Sequence, residues 1–202
     1  MDEALSFTFR LLLFAAVHSL LAIPIVKRIL MGQSRLKRRY YRLTYNLLAV
    51  AMFGWVMSSY SDTAVLYVVP GAWSLVMYLL QGVLLLILFK CVQDTGAAEF
   101  LGLYQSDAIR DRSPKLVTNG CYGIVRHPLY LFSMLFILLN PIITTRWLIF
   151  SLFSAFYFVI GALLEERRLT REFGEDYKNY KQTVPFIIPN LSIFRPHPAN
   201  RG

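Results

Sequence analysis

Five long apolar stretches, separated by links rich in Lys and Arg, constrain this chain more than any other feature. They cover residues 5–26, 43–60, 72–92, 128–145 and 147–164. A helix that crosses the hydrocarbon core needs about 20 mostly apolar residues. Backbone in lipid must also satisfy its own hydrogen bonds, which favours helices. The expected fold class is therefore all-α: a polytopic integral membrane protein with about five transmembrane helices. Only 16% of the 202 residues are charged, against about a quarter in soluble domains. The length suits one membrane domain, 1–202. Three helices would fill 1–92, and a core over 93–202 would hold a helical hairpin, 128–164, and a tail. Pro141 is expected to kink or end the fourth helix.

Charge predicts orientation. Seven basic residues lie between the first two stretches, and Lys90 ends the third. The 94–127 link holds Arg110, Arg112, Lys115 and Arg126, and seven more follow the fifth stretch. Only Arg10 and Arg146 fall elsewhere. With five spans these segments share one side, which the positive-inside rule makes the cytosol. The N-terminus is then outside and the C-terminus cytosolic. Asp2 and Glu3 open the chain where a cleavable signal would be basic, so the first stretch reads as a retained helix. The net charge of +9 suits anionic lipid, and no nucleic-acid motif accompanies it. Cys91 and Cys121 form no metal spacing. On the cytosolic side they are expected to stay unpaired.

Several polar groups sit where the apolar runs meet water. Pro128 suits the first position of a helix, which makes His127 its N-cap residue. Arg126 and His127 then add donors beside a helix N-terminus, a setting for a carboxylate; taken alone, the three residues are more simply explained by contact with lipid headgroups. Glu165-Glu166 directly follow the fifth stretch. At a helix C-terminus two acids oppose the macrodipole, so a cation should compensate them: Arg167 and Arg168, or a bound ammonium or sulfonium. Asn119-Gly120 signals a turn, with Tyr122 beside it. Tyr177 and Tyr180 would share one face of an interfacial helix, covering the pocket between His127 and Glu165.

These pieces occur in a fixed order. Gly120-x-Tyr122, Arg126-His127-Pro128-x-Tyr130, Glu165-Glu166 and Phe173-Gly174-x-x-Tyr177-x-x-Tyr180, with Val184-Pro185 and Pro189, resemble the isoprenylcysteine carboxyl methyltransferase superfamily, which includes phospholipid methyltransferases. The resemblance covers about 94–190. It implies S-adenosylmethionine as cofactor, held at the cytosolic ends of the last helices by Leu116, Val117, Tyr122, His127, Pro128, Tyr130 and Glu165, with Gln105 as a further candidate. No metal is implied. His18-Ser19, Lys27-Arg28 and Phe100-Leu101-Gly102-Leu103 look more loosely like the methanethiol S-methyltransferase and NnrU-like branch. Two departures stand against a prenylcysteine substrate: residues 160–164 lack an Arg, and Pro114 stands where eukaryotic members have His.

The function expected from this resemblance is methyl transfer to a small lipophilic acceptor, a thiol or a prenyl- or lipid-type molecule. It would take place in a bacterial or archaeal inner membrane, with the acceptor arriving from the bilayer. The alternative is a non-catalytic NnrU-like membrane protein that supports assembly or transport. His18 is either a helix–helix hydrogen-bonding group or, as an ionisable residue in a span, a functional one. In the second case it could deprotonate a thiol.

Overall fold

The structure is a computed structural model. It describes residues 3–32, 34–59, 64–97 and 115–189, with the backbone alone at 3 and 35–39. Gln105, Pro114, the 100–103 segment and His197 lie outside the described residues.

The chain opens with α1 (Glu3–Ala22) and turns at Ile23 into α2 (Pro24–Met31), which Pro24 starts from the first helical position. Helix α3 (Arg35–Met57) follows. The basic link is therefore largely helical, because Lys and Arg are good helix formers and apolarity marks only the buried part of a helix. Strand β1 (Val65–Val68) precedes α4 (Ala72–Asp94). A 3₁₀ turn (Gly120–Gly123) leads to α5 (Pro128–Leu138), then β2 (Ile142–Thr144), α6 (Thr145–Phe173) and α7 (Glu175–Thr183).

Among the described residues three helices, at Ala4–Ala22, Ala72–Asp94 and Thr145–Phe173, are long and apolar enough to cross a membrane. This is fewer than the five spans expected. Helix α3 matches α4 in length, at 23 residues, but Tyr40, Tyr41, Arg42, Tyr45 and Asn46 dilute its first half. Helix α5 has 11 residues, about 16 Å at 1.5 Å per residue, against a hydrocarbon core of about 30 Å. It stops before Pro141, as Pro141 predicts. Residues 142–144 are extended, not helical, and pair antiparallel with β1. The short ribbon β1–β2 is the one departure from an all-helical fold among the described residues.

Helix α1 packs on α3 and α6, α4 on α5, α5 on α6, and α7 on α6. Phe7, Leu11 and Val56 are buried where α1, α3 and α6 meet, with Phe150 and Phe153 against them. Most large apolar side chains point outward instead, among them Leu79, Leu86, Phe89, Leu152 and Phe156. A belt this apolar needs lipid around it, as in an integral membrane protein. Polar groups within the bundle are tied to facing backbone. Gln81 Nε2 donates to Phe136 O at 2.9 Å, and Trp147 Nε1 to Ile137 O at 3.0 Å.

Cys91 and Cys121 form a disulfide, against expectation. The expectation rested on compartment alone. The end of α4 and the 3₁₀ turn pack together, bringing the two Cα atoms to 5.5 Å, within bridging range.

Candidate functional site

The site forms where the N-terminus of α5 meets the distal part of α6. Helix α6 does not stop at the end of its apolar run. It continues to Phe173 and ends at Gly174, whose φ is +55°. Glu165 and Glu166 therefore sit inside a helix, and the expected conflict with its C-terminal dipole does not arise. Arg168 compensates Glu165 from within the helix, as expected, and a tertiary partner compensates Glu166. Arg126 Nε donates to Glu166 Oε1 at 2.6 Å, and Arg168 Nη2 to Glu165 Oε1 at 3.3 Å.

Arg126 is bonded within the protein. Its Nη1 also donates to Lys181 O at 3.0 Å and Val184 O at 2.6 Å. The backbone N–H groups of Arg126 and His127 donate to Pro185 O and Phe186 O at 2.9 and 3.2 Å. The segment after α7 is thus laid against the entrance to α5. Helix α7 buries Tyr177 and Tyr180 on its inner face. Tyr180 Oη donates to Tyr122 O at 2.6 Å, tying the cover to the 3₁₀ turn.

His127 is the N-cap residue of α5, with Pro128 at the first helical position. Its ring is buried, with Nδ1 3.9 Å from Glu165 Oε2 and Nε2 3.5 Å from Glu166 Oε1. Both are longer than an ordinary hydrogen bond, and Nε2 has no hydrogen-bond partner among the described residues, the Glu166 carboxylate lying just beyond reach. Burial lowers the imidazole's pKa, outweighing the two carboxylates that favour the charged form. The ring is thus held neutral, with an unmet polar atom facing the acid pair. Tyr130 Oη donates to Glu165 Oε2 at 3.2 Å, and its ring lies 5.6 Å from that of His127. Burial raises the Tyr122 phenol pKa, and the Glu165 carboxylate raises it further. Leu116 and Val117 are half-buried in the irregular segment leading into the turn.

The structure therefore gathers Tyr122, His127, Pro128, Tyr130 and Glu165 at one end of the bundle. His18 lies elsewhere, deeper between α1, α3 and α6. Its Nε2 is 2.7 Å from Tyr45 Oη and its Nδ1 3.0 Å from Tyr157 Oη. Sequence reasoning missed Tyr45, Tyr157 and the Arg126–Glu166 pair. These contacts join residues 27, 139 and 40 positions apart, which no local pattern signals.

The residues suit a small zwitterion with an aromatic part. Glu165, partly open to solvent, can meet an ammonium. The unmet His127 nitrogen and the α5 N-terminus suit an anion, and the Tyr122 ring offers an aromatic face.

The sequence profile of the phospholipid methyltransferase family matches residues 71–176, more than half of the chain. The chain belongs to that family. The methanethiol S-methyltransferase of Pseudomonas deceptionensis is 38% identical over 97 residues, covering 46% of this chain and 37% of the relative. The protein-S-isoprenylcysteine O-methyltransferase of Dictyostelium discoideum is 35% identical over 113 residues, covering 52% of this chain and 45% of the relative. That of Xenopus laevis is 27% identical over 164 residues, covering 78% and 54%. The chain thus spans well under two thirds of the length of these relatives. No solved structure matches it.

Proposed function

We propose that this family member is a membrane methyltransferase that moves a methyl group from S-adenosylmethionine to a small lipophilic acceptor, a thiol foremost. The observation that carries this reading is the buried, unbonded His127 Nε2 beside Glu165, Glu166, Tyr130 and Tyr122, in a chain whose relatives include methanethiol S-methyltransferases. His127 and Pro128 at the α5 entrance would hold the carboxylate of the cofactor, and Glu165 its ammonium. Tyr122 and Tyr130, with the 116–117 backbone, would flank its rings. Gln105 stays a candidate from the sequence. When bound, the cofactor supplies an electrophilic methyl on a sulfonium. The protein then orients the donor, excludes water and holds the acceptor at attack distance.

The chain would work as one membrane domain, with the N-terminus outside and this site facing the cytosol. Five passes remain the topology we favour, and the ribbon supports it. Thr145 N donates to Ala64 O at 3.1 Å and Val69 N to Pro141 O at 2.9 Å. The ends of α3, α4, α5 and α6 that are remote from the acid pair thus meet in one place. Residues 139–144 would complete the crossing that α5 begins.

Calorimetric titration of S-adenosylmethionine into the detergent-purified protein tests the reading. Saturable binding, lost in Glu165→Gln and His127→Ala while both variants remain folded, is the expected result. No binding to a well-folded wild type would leave the non-catalytic, NnrU-like alternative.

A further inference from the structure

We propose that the methyl acceptor is an uncharged thiol, seated in a cavity between α1, α2 and α3, and that Tyr45 and His18 remove its proton. The proposal rests on the methyltransferase reading above and adds where the acceptor sits and what activates it.

The cavity has a volume of about 430 Å³ and is lined by leucines of all three helices, Leu21, Leu30 and Leu48, and by Tyr40, Tyr41, Thr44 and Tyr45 of α3. No lining residue carries a formal charge. Such a space accepts an apolar molecule. Its size falls in the range of small-molecule sites.

Tyr45 connects this cavity to a polar cluster that the cofactor site does not use. Its hydroxyl is bonded to His18 Nε2, His18 Nδ1 to Tyr157 Oη, and Tyr157 Oη to Ser19 Oγ at 2.9 Å. The titratable groups facing His18 are Tyr45 from α3 and Tyr157 from α6. Tyr41 lies next along α3, and Lys27 of α2 stands 5.6 Å from its ring centroid. A neutral imidazole has one N–H and one lone pair, so one tyrosine donates to the ring while the other accepts from it. With the N–H on Nδ1, His18 donates to Tyr157 and accepts at Nε2 from Tyr45. A polar group in a span is costly. Two tyrosines and a histidine in series form a path for a proton from the cavity wall.

The cluster and the cofactor end share one face of α6. Tyr157, Gly161 and Glu165 are four residues apart and lie in line, about 12 Å from first to last. Gly161 packs against Tyr130, and a Cβ built there lies at van der Waals distance, 3.5 Å, from Tyr130 Oη. Tyr130 in turn bonds Glu165.

The chemistry selects the acceptor class. A carboxylate is already ionised at neutral pH and leaves this relay without a task. A thiol must lose its proton to become the nucleophile. The S–H proton passes to Tyr45 Oη as the Tyr45 proton passes to His18 Nε2. The thiolate forms a new S–C bond with the methyl of a sulfonium donor. The old C–S⁺ bond breaks and its electron pair stays on the donor sulfur, giving two neutral thioethers. The proton rests on His18 and leaves to water before the next turnover.

The test compares wild type, Tyr45→Phe, His18→Gln and Leu48→Trp in lipid nanodiscs, with ethanethiol as probe. Thiol binding is read by saturation-transfer NMR without cofactor. It should be present in wild type and Tyr45→Phe and lost in Leu48→Trp. With cofactor, Tyr45→Phe and His18→Gln should methylate ethanethiol about 100-fold more slowly at pH 7. They should recover as pH rises toward the thiol's own pKa, while calorimetric cofactor affinity stays at the wild-type value. Wild-type pH profiles in both variants, or no saturable thiol binding to wild type, would overturn the proposal. Cofactor binding that fails in wild type overturns the methyltransferase reading alone, because the thiol-binding arm still decides the acceptor site.

Discussion

Arg126 on the approach to α5 and Glu166 on α6 form a close ion pair, Nε to Oε1 at 2.6 Å, with both side chains largely buried. The same guanidinium holds two carbonyls of the segment that closes over the site. Removing one partner strands a buried charge, which costs about 3 kcal/mol or more. Arg126→Met should therefore lower Tm in detergent by roughly 6–12 °C. It should also expose the segment after α7 to protease. A Tm within a degree or two of wild type would show that the pair does not hold the cover.

Gly120 begins the 3₁₀ turn with φ +62°, and a Cβ there would collide with the Asp94 carboxylate. That carboxylate accepts from Cys121 N at 3.2 Å and pairs with Lys90 at 2.7 Å. Gly120→Ala should cost about 1–3 kcal/mol and displace Tyr122. The measurement is Tm together with calorimetric cofactor affinity, and both should fall. An unchanged affinity would separate the turn from the cofactor site.

The Cys91–Cys121 bond closes a loop of 30 residues. Chain entropy alone gives such a bond about 3–4 kcal/mol. Reductant, or Cys91→Ser, should lower Tm accordingly. Under the proposed orientation the pair lies at the cytosolic end, where thiols are kept reduced. A permeant maleimide should then label both cysteines in intact cells, and a C-terminal tag should resist external protease. Blocked cysteines together with a digestible tag would reverse the orientation.

The buried imidazole of His127 has a pKa below its ordinary value, so the unfolded chain takes up this proton first as pH falls. The stability this residue contributes is full above about pH 6.5 and is lost as pH drops through the lower, folded-state pKa. Thermal melts between pH 7 and pH 5 should show a declining Tm, with a shallower decline in His127→Gln. Parallel slopes would mean that His127 is not the group that titrates.

The helical class, the membrane and the ordered set from Gly120 to Tyr180 were legible in the primary structure, because apolar run length and local turn chemistry are properties of neighbouring residues. Pro128 marks the start of α5 and Pro141 its limit for the same reason. Helix ends marked by apolarity alone were misplaced. Helix α3 begins eight residues before its apolar run, and α6 runs nine residues past its own, since charged residues continue a helix that leaves lipid.

What the sequence by itself determined is a lipid-embedded helical chain with basic, polar segments and an ordered set of polar side chains from Gly120 to Tyr180. Tertiary structure decided what those side chains do. It gave Glu166 to Arg126 and Glu165 to Tyr130, left His127 Nε2 without a hydrogen bond, joined Cys91 to Cys121, and placed His18 between Tyr45 and Tyr157. The physical reason is range. Helix formation and membrane partition depend on residues a few positions apart, whereas ion pairs, disulfides and hydrogen-bond relays depend on which helix faces pack together.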